Sequence, residues 1–186
     1  GAGLTSIIKE GRIGNAKVGK GEWLVIEADE SDGSIVYYKP DFGLLLNVDK
    51  DHKETDSLME IFTTFKNNSK KFVVNQSHSL ARKLSQDIKN DFSIDKSSSA
   101  KIVAKEFSQD GLNIQFKIDD IPFTIQALGK HNMENAVAAV AVANQIGVDL
   151  ETCSAALRKY EGIYRRSQVY GNKNGVWLID DYAHNP

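Results

Sequence analysis

The chain has 186 residues, 41% of them hydrophobic, which is enough to bury one core of good size with a small appendage. Its formal net charge of −2 at pH 7 gives no electrostatic footprint for nucleic acid. A single cysteine, Cys153, excludes an internal disulfide framework and favours a reducing compartment. The sequence shows no apolar stretch of the ~20 residues that a membrane span needs and no signal peptide at its start. We therefore expect a soluble, cytoplasmic protein.

Short apolar segments in the first half predict strands that are buried on both faces. They lie at 22–28, 42–48 and 70–75 and are rich in Val, Ile, Leu and Phe. Between the second and third, apolar residues recur at the spacing of an amphipathic helix over 56–65. The same spacing predicts a second helix over 78–89. Strands that alternate with helices indicate an α/β fold.

The middle of the chain changes to an alternation of apolar and polar residues. This alternation covers 100–107, 112–118 and 121–128, with turn residues between the segments. It predicts a half-exposed, antiparallel three-stranded meander. We expect this meander, about 99–128, to form a subdomain on the main sheet.

The last third begins with an alanine- and valine-rich segment that predicts a central, well-buried helix over 132–146. Gly147 is typical of a helix C-cap. A further helix is predicted over 150–160, opening after Asp149, and a last strand over 175–181. The whole pattern predicts a mostly parallel sheet flanked by helices, with the small meander attached.

Acidic and imidazole groups follow two of the predicted strands. The segment 27–32 reads Glu-Ala-Asp-Glu-Ser-Asp, and Asp51 and His52 follow the second strand. Ligands of open α/β sheets bind at the carboxyl ends of the strands, and carboxylates there commonly hold Mg²⁺ next to phosphate. The alternative is that these are solvated turns.

The glycine-rich segment 14–21 nearly matches a phosphate-binding P-loop. Gly21 replaces the hydroxyl residue that should bind Mg²⁺, and the segment leads into a predicted strand instead of opening a helix. These departures favour a glycine-rich hairpin turn with exposed lysines.

Further polar residues lie next to predicted helices and strands, and those next to the helices could bind an anion. Asn132 and Asn135 share a face at the start of the alanine-rich helix, where free N–H groups and the dipole favour anions; ordinary capping by Asn132 is the alternative. Arg165 and Arg166 follow the last helix and suit bidentate phosphate binding, or form a solvated pair. Acids again end a strand in 180–186.

The order of these motifs resembles that of the Mur ligase family, the ATP-dependent amide-forming enzymes of peptidoglycan assembly. The chain looks like the central ATP-binding domain of that family. The resemblance covers roughly 20–186 and rests on the acidic segment 27–32, His52, the His-Asn-x-x-Asn element, the Gly-x-x-Arg-Arg element and the Asp-Asp-Tyr-Ala-His ending. The acidic segment is most similar to the branch that adds L-alanine to UDP-N-acetylmuramate.

The resemblance implies a site for ATP and Mg²⁺. Glu27 and His52 would be the metal ligands, and with Arg166 they would form the catalytic set. The nucleotide would be bound by His131, Asn132, Asn135, Arg166 and Asp181. Asn132 and Asn135 would line the adenine and ribose side, Arg166 would contact phosphates, and Asp181 would bind the ribose.

The resemblance also implies the reaction. ATP would activate the carboxylate of UDP-N-acetylmuramate to an acyl phosphate, which the amine of L-alanine would attack. No nucleic acid or membrane partner is implied. The ending Ala-His-Asn-Pro also occurs in folylpolyglutamate synthetases and other Mur-type ligases, and a murein peptide recycling ligase is an alternative. The loop after His52 departs from the family, so its substrate contacts are not predicted.

The family pattern further implies that this chain is a piece. We expect 1–179 to be a partial central domain and 180–186 the start of a truncated C-terminal domain. The family's P-loop would precede residue 1. We therefore expect the isolated chain to lack ligase activity and to self-associate through open sheet edges. Two readings from other classes are a stand-alone nucleotide-binding module and a purely structural α/β domain.

Overall fold

The computed structural model describes residues 19–48, 55–163 and 166–182, and the structural statements below concern these residues. Three α-helices are present in these ranges: α1 (Thr55–Asn68), α2 (Lys130–Gln145) and α3 (Leu150–Leu157). The strands are β1 (Phe42–Leu45), β2 (Lys71–Val74), β3 (Phe92–Ser93), β4 (Ile102–Asp110), β5 (Asn113–Ile118), β6 (Ile121–Gln126), β7 (Gln168–Lys173) and β8 (Val176–Asp180). Short 3₁₀ helices occupy Ser34–Tyr37 and Ala81–Leu84.

Strands β1 to β6 form a mixed sheet, whereas β7 and β8 pair with each other as an antiparallel hairpin in a separate two-stranded sheet. β1 pairs with β2 in parallel, and β3 pairs in parallel with the start of β4. A parallel bridge between Asn75 and Phe92 joins β2 to β3. β4, β5 and β6 then continue as an antiparallel meander. The predicted α/β fold and its three-stranded meander are thus confirmed.

Strand β2 packs against a hydrophobic layer on each of its two faces. Phe72, Val73 and Val74 are all fully buried. Val73 belongs to a hydrophobic cluster that includes α2 and the inner face of the meander, whereas Phe72 and Val74 belong to a second cluster that includes α1. A strand covered on both faces is what its continuous apolar run predicted.

Helix α2 lies against the sheet as the alanine-rich pattern predicted. It begins at Lys130, two residues before the predicted start, and its buried residues include Met133, Val137 and Val140. Ala139 is exposed, so the helix is buried along one side and not all round. Helix α3 begins where predicted, because Asp149 is its N-cap and accepts a hydrogen bond from the Thr152 N–H at 2.7 Å.

The prediction of a buried strand at 22–28 is wrong. Leu24 and Val25 are 85% and 91% exposed, and no described strand pairs with this segment. Trp23 sets its ring edge against Phe42 of β1, with ring centroids 5.7 Å apart. A parallel strand depends on a hydrogen-bonded neighbour, so apolar composition alone does not form one here.

The predicted helix over 78–89 is also wrong, since only the 3₁₀ turn Ala81–Leu84 forms. Ser85 and Gln86 leave the helical path and use their side chains elsewhere. Ser85 Oγ donates to the Asp91 carboxylate, and Gln86 Oε1 accepts from the Phe72 N–H at 3.0 Å. Strands β3 and β7 were not predicted, because β3 has two residues and β7 is largely polar. None of the helices in the described ranges has the length and hydropathy to cross a bilayer.

Asp91 is a fully buried carboxylate that ties β2 to the chain segment before β3. Its Oδ1 accepts from the Val74 N–H at 2.9 Å, and its Oδ2 accepts from Gln76 Nε2 at 2.6 Å and from Ser85 Oγ. Burial raises the pKa of Asp91 despite these hydrogen bonds, because desolvation penalises the charged form.

The raised pKa of Asp91 predicts that the free energy of unfolding depends on pH. As pH rises from the ordinary value of 3.8 through the raised folded-state pKa, the wild type should lose stability relative to Asp91→Asn, because only the wild type acquires a buried charge. Urea unfolding of both proteins at a series of pH values from about 4 upwards measures the difference. A difference that stays constant with pH would contradict the assignment.

Gly43 of β1 faces a crowded position opposite Phe72. A Cβ on Gly43 would meet the Ser69 hydroxyl and lie 2.7 Å from Cδ2 of Phe72. Ser69 and Phe72 are both buried, so neither can move without disturbing the core.

Gly43→Ala should therefore lower the free energy of unfolding by about 1–3 kcal/mol, the usual cost of overpacking. Gly21→Ala is the matched control, because nothing lies within 4 Å of the Cβ it would add. Denaturant unfolding of both variants is the measurement. Equal free energies of unfolding for the two variants would show that the residues around Gly43 can move to accommodate a methyl group.

Candidate functional site

The N-terminus of α2 is the first part of the candidate site. Gly129 is its N-cap residue, with φ 81° and ψ 157°, and no described side chain caps it. Its opening turn therefore retains backbone N–H groups and the positive end of the helix dipole. Such a turn favours an anion, so an anion site at this helix start stays a prediction.

Asn132 does not cap α2, which was the alternative to a binding role. Its Nδ2 donates to the Leu128 carbonyl at 2.8 Å and lies 3.1 Å from His131 Nε2. Asn132 thus fastens the first turn to the preceding loop. Asn135, one turn further along the same face, is exposed.

His131 is held against the backbone of Gly129. A Cβ on Gly129 would lie 2.9 Å from Cε1 and from Nδ1 of the His131 ring. The positive φ of Gly129 also disfavours any other residue. Glycine at this position therefore sets both the start of α2 and the position of the imidazole.

Asp181, directly after β8, is the second part of the site. Its Oδ2 accepts hydrogen bonds from the N–H and the Oγ of Ser167, at 2.7 and 2.9 Å. These two bonds lower the pKa of Asp181, and the charges of Arg166 and His131 lower it further. The candidates His131, Arg166 and Asp181, from separate parts of the chain, therefore lie near enough for their charges to interact.

Arg166 lies at a turn. Its backbone N–H donates to the Ile163 carbonyl at 3.1 Å, and this hydrogen bond closes the turn before β7. Its side chain is exposed, so the guanidinium has room to contact an anion. The neighbouring Arg165 lies outside the described residues.

The candidate metal ligands are only partly described. Glu27 is exposed and follows the irregular segment 23–26, whereas His52 lies outside the described residues, as does most of 14–21. No group of three or more His, Cys, Asp or Glu residues is gathered for a metal within the described ranges. Mg²⁺ commonly uses one or two carboxylates together with waters and substrate phosphates, so an exposed Glu27 carboxylate fits as a donor.

Ser167 belongs to the site and was missed by the sequence reasoning. It has φ 48°, uncommon for a residue other than glycine, and this conformation aims both of its donors at Asp181. Ser167 and Asp181 are 14 residues apart in the sequence, and no local pattern links them.

The described residues define an α/β domain that presents polar and charged groups at the start of a central helix and at the end of a hairpin. The model of the Mur ligase middle domain matches residues 12–143. The chain therefore belongs to the Mur ligase family.

The relatives agree with this assignment. The chain is 34% identical to a UDP-N-acetylmuramate–L-alanine ligase from Acaryochloris marina over 93% of its own length and 38% of that protein. Its fold matches the UDP-N-acetylmuramate-alanine ligase of Thermotoga maritima with a TM-score of 0.70 at 20% identity, covering 82% of this chain and 37% of that one. A murein peptide ligase from Psychrobacter arcticus matches with a TM-score of 0.57 at 24% identity, covering 88% and 41%. The chain thus spans less than half of these relatives.

Removing the Ser167 hydroxyl should raise the pKa of Asp181 towards its ordinary value, because one of two hydrogen bonds to the carboxylate is lost. Carboxyl ¹³C NMR titration of Ser167→Ala measures this shift. Ser108→Ala is the control, since Ser108 is an exposed serine on β4. An unchanged Asp181 titration in Ser167→Ala would mean that the hydroxyl does not hold the carboxylate in solution.

Proposed function

We propose that this chain is the central part of an ATP-dependent ligase that joins L-alanine to UDP-N-acetylmuramate in peptidoglycan synthesis. The observation that carries the proposal is the 34% identity, over 93% of the chain, to a ligase of that name. The electrostatic influence of His131 and Arg166 on Asp181 supports it, because the family resemblance assigns the nucleotide to these three residues.

The nucleotide would bind between α2 and the end of β8. Asn135 offers an exposed amide to the adenine and ribose side, and Asn132 and His131 shape the same turn. Arg166 would neutralise phosphate charge. Asp181, kept ionised by Ser167, would accept hydrogen bonds from the ribose hydroxyls.

Mg²⁺ would be held by Glu27 and His52 together with phosphate oxygens. When bound, it would neutralise charge on the phosphates during phosphoryl transfer. Glu27 contributes an oxygen donor of the type that Mg²⁺ prefers, and His52 remains a prediction because it lies outside the described residues.

The reaction would proceed by two displacements. A carboxylate oxygen of UDP-N-acetylmuramate would attack the γ-phosphorus of ATP, and ADP would leave. The amine of L-alanine would then attack the acyl carbon, and phosphate would leave as the amide forms. In such chemistry the protein mainly positions the reactants and stabilises charge.

The domain boundaries belong to the same proposal. Residues 1–179 would be part of the central domain, and 180–186 would begin the C-terminal domain. A cytoplasmic location and self-association of the isolated chain are also proposed. Because the chain spans 38% of a matched ligase, we propose that it has no ligase activity by itself.

The second candidate is a ligase that recycles murein peptides. The observation that supports this second candidate is the fold match to the murein peptide ligase of Psychrobacter arcticus, and this match concerns the fold alone. The two candidates differ in the acceptor: L-alanine alone, or an L-alanyl-γ-glutamyl peptide. Acceptor choice is therefore the measurement that separates them.

The full-length parent protein should release phosphate from ATP with UDP-N-acetylmuramate and L-alanine. Glu27→Ala should lower kcat/KM by about 100-fold or more, because a group that helps neutralise the reacting phosphates is lost. Glu22→Ala is the matched control, being an exposed glutamate five residues earlier. The isolated 186 residues should show no turnover.

Activity with the peptide acceptor alone would transfer the assignment to the recycling ligase. No activity with either acceptor or with glutamate would overturn the ligase proposal. Full activity of Glu27→Ala would remove Glu27 from the metal site and leave the ligase assignment standing.

A further inference from the structure

Gln109 of the meander reaches across to the loop that starts α2. It is the second-last residue of β4, next to the turn that leads into β5. Its Oε1 accepts a hydrogen bond from the Gly129 N–H at 3.0 Å, and its Nε2 shares one of its two hydrogens with the Ala127 carbonyl at 3.4 Å, the longest of its contacts. One side chain thus contacts both ends of the segment 127–129.

The same carboxamide is fixed on the meander side. Nε2 also donates to the carbonyls of Gly111 and Asn113, at 2.9 and 3.0 Å. Gln109 is therefore anchored to the β4–β5 turn while it holds the loop before α2. Its amide connects two parts of the chain that are 20 residues apart.

The loop that Gln109 holds determines where the nucleotide candidates lie. Gly129 packs against the His131 ring and begins α2, and its carbonyl accepts from the Asn132 N–H at 3.2 Å. The Leu128 carbonyl accepts from the Asn132 side chain. A shift of this loop would move His131 and Asn132 together.

We propose that Gln109 is a positioning residue for ATP, which couples the meander hairpin to the nucleotide-binding start of α2. This inference rests on the proposed function, because it assigns the α2 start to ATP. Gln109 acts through Gly129 and does not itself touch the nucleotide. The hydrogen bond from the Gly129 N–H to Gln109 holds the Gly129 backbone in the conformation that orients His131 and Asn132.

A purely structural role is the competing explanation, since two of the four hydrogen bonds stay within the β4–β5 turn. The two roles predict different kinetics. Positioning of the α2 start should affect ATP and leave the affinity for UDP-N-acetylmuramate and kcat nearly unchanged. Loosening of the hairpin alone should lower stability without favouring one substrate.

The test uses the full-length parent protein with Gln109→Met and Gln109→Glu. Gln109→Met removes both hydrogen-bonding functions, whereas Gln109→Glu keeps an acceptor for the Gly129 N–H. Gln115→Met and Gln115→Glu are matched controls for shape and charge, because Gln115 is an exposed glutamine on β5 of the same meander. KM for each substrate, kcat, the melting temperature and the Kd for a non-hydrolysable ATP analogue are measured for every variant.

We expect Gln109→Met to raise KM for ATP and the analogue Kd by about 5-fold, the factor that corresponds to one ordinary hydrogen bond. Gln109→Glu should recover part of this loss, because it keeps the acceptor for the Gly129 N–H but has no donor for the carbonyls that Nε2 contacts. Both Gln115 variants should match the wild type. Unchanged ATP affinity in Gln109→Met would overturn the inference. So would an equal effect on all substrates, or a lower melting temperature with ATP affinity intact.

Failure of the proposed function gives a different result. A wild-type protein that binds the ATP analogue but turns over no acceptor would refute the ligase and still test Gln109 through the analogue Kd. A wild-type protein that binds no nucleotide would refute both. If Gln109→Met does not fold, Gln109→Glu decides: it should weaken analogue binding by less than about 5-fold and leave KM for UDP-N-acetylmuramate unchanged. Unchanged analogue binding, or an equal effect on both substrates, would overturn the inference.

Discussion

Phe72, Val73 and Val74 alternate between the two faces of the sheet, and their complete burial on both faces holds the layers of the domain together. One face packs against α2 and the meander, and the other packs against α1. Because protein interiors are close-packed, the positions of these helices follow from that of β2. The carboxylate of Asp91, bonded to the Val74 N–H, fixes the next segment of chain to the same strand.

The candidate site depends on this packing. Val137 and Val140 pack α2 against the sheet. The first turn of α2 then lies at the edge of the domain. The polar groups around that turn are then arranged by hydrogen bonds: Gln109 holds Gly129, and Asn132 holds Leu128. A helix start held by hydrogen bonds, with the charges of Arg166 and Asp181 acting on each other, suits a reaction that depends mainly on the positioning of phosphates.

Much of the fold could be predicted because the sequence carries strong periodic signals. Helix α1, helix α2 and the meander have clear apolar spacing, and Asp149 marks the start of α3 with an N-cap residue. The errors at 22–28 and 78–89 have a common cause. Both segments contain apolar residues, but contacts from elsewhere in the chain decide the local structure. The segment 22–28 has no strand to pair with among the described residues, and the side chains of Ser85 and Gln86 form hydrogen bonds that end the helical turn.

For the site, the sequence by itself determined the kinds of residue and their order, and this was enough to indicate the family and to select His131, Arg166 and Asp181. It could not show that the charges of His131 and Arg166 act on Asp181, since this depends on how α2 and the β7–β8 hairpin are placed. Only the tertiary structure assigned Ser167 to Asp181 and Gln109 to Gly129. Hydrogen bonds between residues 14 and 20 positions apart leave no periodic trace, because they are set by folding and not by local spacing.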